Sequence, residues 1–311
     1  MPYGIGAALT WALDTVILSI ALSSSVFSSS AQAVALAAFT STFLHDACSA
    51  LFTLAYMLLK RKASQTLRAL RTREGLVILG AALIGGPIGM TGYVIAIDNI
   101  GASYTAAISS FFPAFGALLA TVFLKERMKS YQWAGLLVCI LGVAYLGYSP
   151  APNIPGDWTT GIVGALICVF GWGSEAVIID WGLHNASIDD ECAMQIRQTT
   201  SSLAYALVIL PLLGGWGLAL DIVFSSALPV IALAALAGTV SYLLYYKAIA
   251  RIGASRAMAL NITYSAWAIP FSLLLLGVPP EPRGVVCALV IILGAITAAT
   301  DFKALLGKKP D

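Results

Sequence analysis

Charged residues are scarce in this sequence. Only 10% of its 311 residues are Asp, Glu, Lys or Arg, whereas 59% are hydrophobic. A soluble domain carries about 25% charged residues, because its surface faces water. The composition found here is tolerated where lipid is the solvent, since about 20 apolar residues are enough for a helix to cross the hydrocarbon core. The sequence therefore excludes a soluble protein and predicts an all-α integral membrane protein whose spans use nearly the whole chain.

Residues that support catalysis or bind metals are also few. The chain has two histidines, far apart in sequence, and its five cysteines have neither metal-ligand spacing nor a disulfide framework. It has no nucleotide-binding P-loop pattern, and its loops are too short to hold a large polar catalytic region. We therefore expect no enzyme activity, no metal, no cofactor and no nucleic-acid partner. The first apolar stretch runs directly into a multi-span pattern, so we also expect no cleavable signal peptide.

Apolar runs divide the chain into ten predicted membrane-spanning helices. Polar or Pro- and Gly-rich breaks separate them, and the loop at 149–157, the richest in such breakers, lies close to the middle of the chain. The predicted spans are 2–23, 32–59, 75–97, 101–124, 131–148, 158–182, 193–214, 226–250, 254–277 and 284–302.

The positions of Lys and Arg predict the orientation of these spans. Cytoplasmic loops of membrane proteins carry an excess of both residues. With the N-terminus in the cytoplasm, all but one of the 17 Lys and Arg residues fall on the cytoplasmic side, counting Arg197 at the start of the seventh span. Only Arg283 is left outside. We therefore predict a multi-pass protein of the bacterial inner membrane with both termini in the cytoplasm.

A short motif recurs at equivalent points of the two halves. Ile-Gly-Ala-Ser at 100–103 appears again at 252–255, and the first span of each half carries Trp-x-x-acid. Chance similarity between apolar segments is the alternative. With five spans per half, the halves cross the membrane in opposite senses, so we predict two inverted five-helix repeats at 1–149 and 150–311. Inverted repeats hold the substrate site near the midplane between them.

Several segments of the first half resemble the drug/metabolite transporter superfamily, EamA type. They are Gly-Ala-Ser through Pro at 101–113, Leu-Lys-Glu-Arg at 124–127, Gln-Trp-Ala-Gly at 132–135 and Gly-Val at 142–143. The resemblance covers essentially the full chain and implies a ten-helix secondary transporter. These motifs are specific for the superfamily but do not distinguish its substrates.

The second half follows the family pattern more loosely. It keeps Gly-Ala-Ser at 253–255, but Pro270 is not in register with Pro113, and Pro-Pro-Glu-Pro at 279–282 replaces the Lys-Glu-Arg turn. Within the superfamily, the Trp-x-x-acid motifs resemble the choline permease branch. That resemblance implies a quaternary ammonium held by aromatic residues with an acidic partner.

Two acidic residues fall near the middle of predicted spans. Asp14 follows Trp11 by three positions and Glu175 follows Trp172 by three, so each pair shares one helical face. An ionisable group costs about 2.5–3.5 kcal/mol inside a span, which requires an explanation. A carboxylate beside ring faces suits an organic cation, because cation–π attraction contributes about 0.5–2 kcal/mol per ring. A structural hydrogen bond between helices is the alternative for each acid.

Further rings on the third, eighth and ninth spans are candidates for the same site. The predicted substrate-binding residues are Trp11, Asp14, Trp172, Glu175, Tyr93, Tyr245, Tyr264 and Trp267, and Tyr242 and Tyr246 are further candidates.

Proton coupling has its own candidates in the spans. His45 and Asp46 are adjacent in the second span, and a histidine beside an acid can relay protons; Glu175 and Asp14 are the other candidates. A structural pairing of His45 or Asp46 with another span is the alternative. Asp180 lies nearer the cytoplasmic end of the sixth span, where we expect it to reach headgroups or water.

These observations together predict a secondary transporter. We expect it to move a small organic cation of the choline type by alternating access, the two repeats rocking about a central cavity. Export of neutral metabolites or amino acids, or proton-coupled drug efflux, on the same fold is the alternative. Direction of transport and the choice between monomer and dimer stay open.

Overall fold

The computed structural model describes residues 1–148, 156–185 and 188–301 of the chain. These residues are largely helical, contain no strand, and form ten helices long and apolar enough to cross a membrane. The predicted all-α fold with ten transmembrane helices is confirmed. They are α1 (Pro2–Leu22), α2 (Ala31–Leu59), α3 (Arg73–Ala102), α4 (Tyr104–Leu124), α5 (Ser130–Gly147), α6 (Trp158–His184), α7 (Asp190–Leu213), α8 (Ala227–Ile252), α9 (Ala254–Leu276) and α10 (Pro282–Ala299).

Side-chain caps fix where several spans begin. Ser30 before α2, Thr72 before α3 and Asp189 before α7 each accept a hydrogen bond from the backbone N–H three residues later, at 2.8 to 3.1 Å. A span needs such caps at its ends, because the first N–H groups of a helix have no partner within it. At the other end, α9 stops before Gly277, whose φ of 67° favours glycine.

The helices of the two halves pack against each other in a symmetric pattern. Helix α1 packs against α8 and α9, while α6 packs against α3 and α4. The pairs α2–α7, α4–α9 and α5–α10 join equivalent helices of the two halves. Exchanging each helix with its counterpart five places along the chain leaves this set of pairs unchanged. This exchange symmetry is what two equivalent five-helix halves would produce. The division into inverted repeats at 1–149 and 150–311 stays a prediction, and its boundary lies outside the described residues.

Backbone breaks occur at equivalent points of both halves. Gly101 (φ 76°, ψ 162°) turns the chain between α3 and α4, and Gly253 (φ 83°, ψ 162°) turns it between α8 and α9. Each following span is then broken at about one third of its length, by the turns at 110–111 in α4 and 262–263 in α9. Pro113 follows the first break, but no proline marks the second. The hydropathy pattern predicts continuous helices at both breaks, because a two-residue turn leaves the apolar run intact.

Glycine pairs allow the closest helix contacts. A Cβ on Gly164 of α6 would lie 2.7 Å from the carbonyl oxygen of Gly92 on α3, and one on Gly135 of α5 would lie 2.8 Å from that of Gly294 on α10. Small residues serve this purpose in membranes, where association between helices depends on close packing rather than on the hydrophobic effect. Gly85, Gly89 and Gly92 of α3 all lie against α6 and so allow the two helices to pack closely.

Large apolar side chains cover the outer surface of the bundle. Leu207 and Leu212 on α7, and Val286 and Leu293 on α10, are each at least 60% exposed. A soluble protein rarely exposes continuous apolar surface of this extent. These faces are therefore the ones in contact with the lipid bilayer.

Candidate functional site

A cavity of about 350 Å³ lies between the two halves of the molecule. Helices α1 to α4 of the first half and α6 to α9 of the second contribute its walls. Its polar and aromatic lining consists of Trp11, Asp14, Thr15, Thr42, His45, Asp46, Tyr93, Phe112, Trp172, Glu175, Arg197, Tyr242, Tyr245, Tyr246, Asn261 and Tyr264.

The cavity opens at one end and is closed at the other. Thr15 is exposed, and Thr42 and Met90 are partly exposed, whereas Arg197 and Tyr246 are buried. The exposed lining residues lie towards the end of the bundle where α1 ends. The closed end lies towards the side where α1 begins.

Two aromatic clusters, each built around a tryptophan, line the cavity. The Trp11 ring lies 5.0 Å from Tyr242 of α8 and 6.2 Å from Tyr264 of α9, measured between ring centroids. The second cluster has the same form: the Trp172 ring lies 5.4 Å from Tyr93 of α3 and 5.7 Å from Phe112 of α4. Each tryptophan of one half therefore packs against rings from the third and fourth spans of the other half.

Of the remaining predicted aromatic residues, Tyr245 lines the cavity and Trp267 does not. Tyr245 lines the closed end beside Tyr246, their ring centroids 6.3 Å apart. Trp267, about one turn beyond Tyr264 on α9, is not among the residues that line the cavity. Its spacing of three from Tyr264 favours the same face of α9, but Trp267 lies one turn further along the helix and is partly buried there.

A continuous chain of charged groups crosses one wall of the cavity. His45 Nε2 lies 3.1 Å from Asp14 Oδ1, and His45 Nδ1 lies 3.4 Å from Asp46 Oδ1. Arg197 continues the chain: its Nη1 lies 3.4 Å from Asp46 Oδ2 and its Nε lies 3.0 Å from Glu175 Oε1. The five side chains are between 5% and 12% exposed. They join α1, α2, α7 and α6 in one polar network.

The position of Arg197 corrects the sequence analysis, which placed this residue at the cytoplasmic start of its span. Because α7 begins at Asp190, Arg197 lies about two turns inside the helix. Its guanidinium stacks on the Tyr242 ring at 4.6 Å and donates to Gln198 Oε1 at 2.7 Å. One signal could have revealed it: His45 and Arg197 are as far apart in sequence as the two Ile-Gly-Ala-Ser motifs.

The two halves thus contribute equivalent acid–base pairs. Asp14 of α1 bonds to His45 of α2, and Glu175 of α6 bonds to Arg197 of α7. Arginine is charged at every physiological pH, whereas histidine gains and loses its charge near neutrality. Because an imidazole donates through both nitrogens only when protonated, His45 bonds to both Asp14 and Asp46 only in that state. The titratable base of the cavity therefore lies in the first half.

Negative charge exceeds fixed positive charge in this network. Asp14, Asp46 and Glu175 supply three carboxylates, and Arg197 supplies one guanidinium. Protonation of His45 would add one positive charge and so reduce the excess of negative charge. A low-polarity wall strengthens the field of the charges that remain uncompensated. The cavity therefore attracts cations and disfavours anions.

Two glycines make room for the acids. A Cβ on Gly238 of α8 would lie 2.8 Å from both Asp14 Oδ2 and His45 Nε2, and one on Gly85 of α3 would collide with the Glu175 carboxylate. Gly85 and Gly238 occupy nearly equivalent positions of the third span of each half. Asp14 and Glu175 thus each lie against the backbone of a glycine in the other half of the chain.

The end of the cavity near the start of α1 is closed by hydrogen bonds between loops and helix ends. Glu126, which follows α4, accepts from the backbone N–H of Ala254 at 2.8 Å, and Asp180 accepts from the same N–H at 2.9 Å. Asp180 is 3% exposed and bound to the start of α9, so the expectation that it reaches headgroups or water is wrong. A carboxylate at a helix start is stabilised by the helix dipole and by the unpaired N–H groups there, which is consistent with its burial.

Ion pairs at the same end of the molecule join α2 to α7. Lys62 Nζ lies 2.8 Å from Asp189 Oδ2 and 2.6 Å from Glu191 Oε2, and Lys60 Nζ lies 3.0 Å from Glu191 Oε1. The hydrogen bonds to Asp189 and then Glu191 raise the pKa of Lys62 above its usual value. These contacts hold the two halves together at the closed end of the cavity.

The described residues contain no group of three or more His, Cys, Asp or Glu side chains that could hold a metal ion. The acids of the cavity instead pair with bases, as the distances above show.

Comparison with known proteins gives concordant results over nearly the whole chain. The model of the EamA-like transporter family matches residues 1–148 and 159–300. The chain is 31% identical over 297 residues to Protein LicB of Haemophilus influenzae, which covers 94% of this chain and 95% of that protein. A solved crystal structure of another protein is 16% identical and superposes with a TM-score of 0.71 over 95% of both chains, which concerns the fold alone. The resemblance to EamA-type transporters is confirmed.

The network predicts a large loss of stability when its arginine is removed. Arg197→Gln leaves two buried carboxylates without their partner, so we expect the free energy of unfolding to fall by about 3–5 kcal/mol. The double variant Arg197→Gln/Glu175→Gln removes one of these carboxylates and should lose less. Thermal unfolding in detergent measures both.

A surface ion pair provides the control for this experiment. Lys129 and Asp301 are partly exposed and lie 2.9 Å apart, so Lys129→Gln should cost about 1 kcal/mol or less. A loss in Arg197→Gln no greater than in Lys129→Gln would contradict the buried network.

Proposed function

This chain is a membrane transporter of the EamA-like family, and on that premise we propose that its central cavity binds a small organic cation of the choline type and carries it across the membrane by alternating access. The proposed location is the bacterial inner membrane, with both termini in the cytoplasm. In that orientation the cavity opens to the outside. The two repeats then rock about it.

The observation that carries this proposal is the excess of carboxylates in a ring-lined cavity. Three carboxylates and one guanidinium lie at the cavity, and two tryptophans with their tyrosine and phenylalanine neighbours line it. A quaternary ammonium has no N–H to donate, so ring faces and a balancing negative charge are the contacts that recognise it. Both Trp-x-x-acid motifs that resemble the choline permease branch contribute to the cavity. The geometry and the resemblance favour the same substrate class.

A neutral metabolite or an amino acid fits the cavity less well. The carboxylate of an amino acid needs an available cation, but Arg197 already bonds to Glu175 at 3.0 Å and lies 3.4 Å from Asp46. Large drugs are disfavoured by size, because about 350 Å³ is near the lower limit of ordinary ligand pockets, which is roughly 300 Å³. These two substrate classes are the alternatives that the experiment below separates.

Alternating access requires the closed end of the cavity to open. Polar contacts at that end join Glu126 and Asp180 to the start of α9, and Lys62 to Asp189 and Glu191 at the start of α7. In our proposal these hydrogen bonds and ion pairs break when the closed end opens. If these contacts broke while the helices closed over Trp11 and Trp172, the cavity would open to the other side of the membrane.

Proton coupling, in our proposal, depends on His45 with Asp14 and Asp46. Glu175 has a permanently charged partner, whereas the partner of Asp14 is titratable. A cation that binds beside Asp14 repels a protonated imidazole, so binding favours release of the proton. Substrate and proton would thus exclude each other from the first half of the site.

Ligand-induced stabilisation tests the proposed substrate class. A bound ligand raises the apparent free energy of unfolding by about 2.7 kcal/mol at 100 times its Kd. We expect choline to raise the melting temperature of the detergent-purified protein, and betaine, amino acids and a bulky aromatic cation to raise it less. Asp14→Asn should weaken choline binding by at least about tenfold, because one carboxylate at close range contributes a few kcal/mol.

Asp98→Asn is the matched control, since Asp98 is an exposed acid outside the cavity. It should bind choline as the unchanged protein does. Stabilisation by amino acids but not by choline would favour the alternative substrate, and equal choline binding by Asp14→Asn would remove Asp14 from the site.

Proton release tests the proposed coupling. In weakly buffered solution near neutral pH, choline added to the protein should acidify the medium, because the His45 proton leaves when the cation binds. His45→Gln should bind choline without this release. His184→Gln is the matched control, since His184 is the other histidine and lies outside the cavity. Equal release from His45→Gln would contradict the assignment.

A further inference from the structure

We propose that the cavity contains a subsite for a hydroxyl group, formed by Asn261 and Tyr246, which selects hydroxyl-bearing organic cations over purely alkyl ones. The inference rests on the proposed function as a cation transporter. It adds a specificity determinant outside the charged network and the two tryptophan clusters.

Two residues that line the cavity each have a buried polar atom without a hydrogen-bond partner. Asn261 is 8% exposed and Tyr246 is 1% exposed, and both belong to the cavity lining. Within residues 1–148, 156–185 and 188–301, neither Asn261 Oδ1 nor the Tyr246 hydroxyl finds a partner. The charged groups of the same cavity, by contrast, bond to one another. Asn261 and Tyr246 thus have unused hydrogen-bonding capacity at the cavity.

An unsatisfied polar group inside a protein is destabilising, so each one requires an explanation. A ligand that supplies the missing partner is such an explanation. The backbone at Asn261 favours this explanation. Asn261 ends the first segment of α9, immediately before the break at 262–263. Broken helices at the interface of two repeats form the substrate sites of many transporters. The break therefore holds Asn261 at the cavity rather than within a continuous helix.

The two groups match one ligand group in particular. An amide oxygen only accepts hydrogen bonds, whereas a phenol both donates and accepts. A substrate hydroxyl can donate to Asn261 Oδ1 and accept from the Tyr246 hydroxyl, so one group satisfies both. A carboxylate lacks a proton to donate and adds negative charge where Asp14, Asp46 and Glu175 are already in excess. The class of substrate is therefore a carboxylate-free cation that carries a hydroxyl.

A pair of ligands of equal shape tests this subsite. Choline and propyltrimethylammonium differ by a hydroxyl in place of a methyl group. We expect the unchanged protein to bind choline at least about tenfold more tightly, since the analogue leaves both atoms unpaired. Tyr246→Phe and Asn261→Leu should reduce this preference several-fold by weakening choline binding, with little change for the analogue. Calorimetric titration of the full-length protein gives both Kd values.

Tyr205→Phe is the matched control. Tyr205 is also fully buried with an unpartnered hydroxyl among the described residues, but it is not part of the cavity lining. Its variant should keep the full preference for choline. Tyr246→Phe removes one hydroxyl and keeps the ring, so it remains informative if Asn261→Leu does not fold.

The outcomes distinguish failure of the hydroxyl subsite from failure of the proposed function on which it rests. Equal binding of the two ligands to the unchanged protein would overturn the hydroxyl subsite and leave the cation site intact. Equal weakening of both ligands by Tyr246→Phe would also overturn it, because the hydroxyl would then act on the fold of the cavity. Binding of neither ligand would overturn the proposed function itself.

Discussion

The chain of buried charges from Asp14 through His45, Asp46 and Arg197 to Glu175 is the interaction on which the site depends. It ties α1 and α2 of the first half to α6 and α7 of the second. Charges inside a membrane protein are tolerated when they pair with one another and face the interior. In this molecule they do so at a helix-lined cavity, so the groups that connect the halves also set the charge that a ligand meets.

The two halves use the same plan with one chemical difference. Each has a Trp-x-x-acid motif on its first span and a base on its second, but the base is His45 in the first half and Arg197 in the second. The guanidinium of Arg197 keeps its charge at every physiological pH, whereas the imidazole of His45 is a titratable group. The two halves therefore differ in whether the base that pairs with the acid can change its charge.

Much of the fold was predictable because apolar runs and glycine turns are local signals. All ten spans were located from hydropathy, and the mid-span acids Asp14 and Glu175 do face one cavity with their tryptophans. Pairing across helices was not predictable from local pattern. Arg197 looked like a residue of a helix end because the start of α7 is polar. Trp267 shares a helical face with Tyr264 by its spacing, but it lies one turn further along α9 and does not line the cavity.

The most direct test of this account is the position of a bound cation. A quaternary ammonium that carries bromine can be located by anomalous diffraction from crystals of the protein. The account predicts a peak inside the cavity, between the rings of Trp11 and Trp172 and beside Asp14. A peak only at the lipid-facing surface, with none in the cavity at saturating ligand, would contradict it.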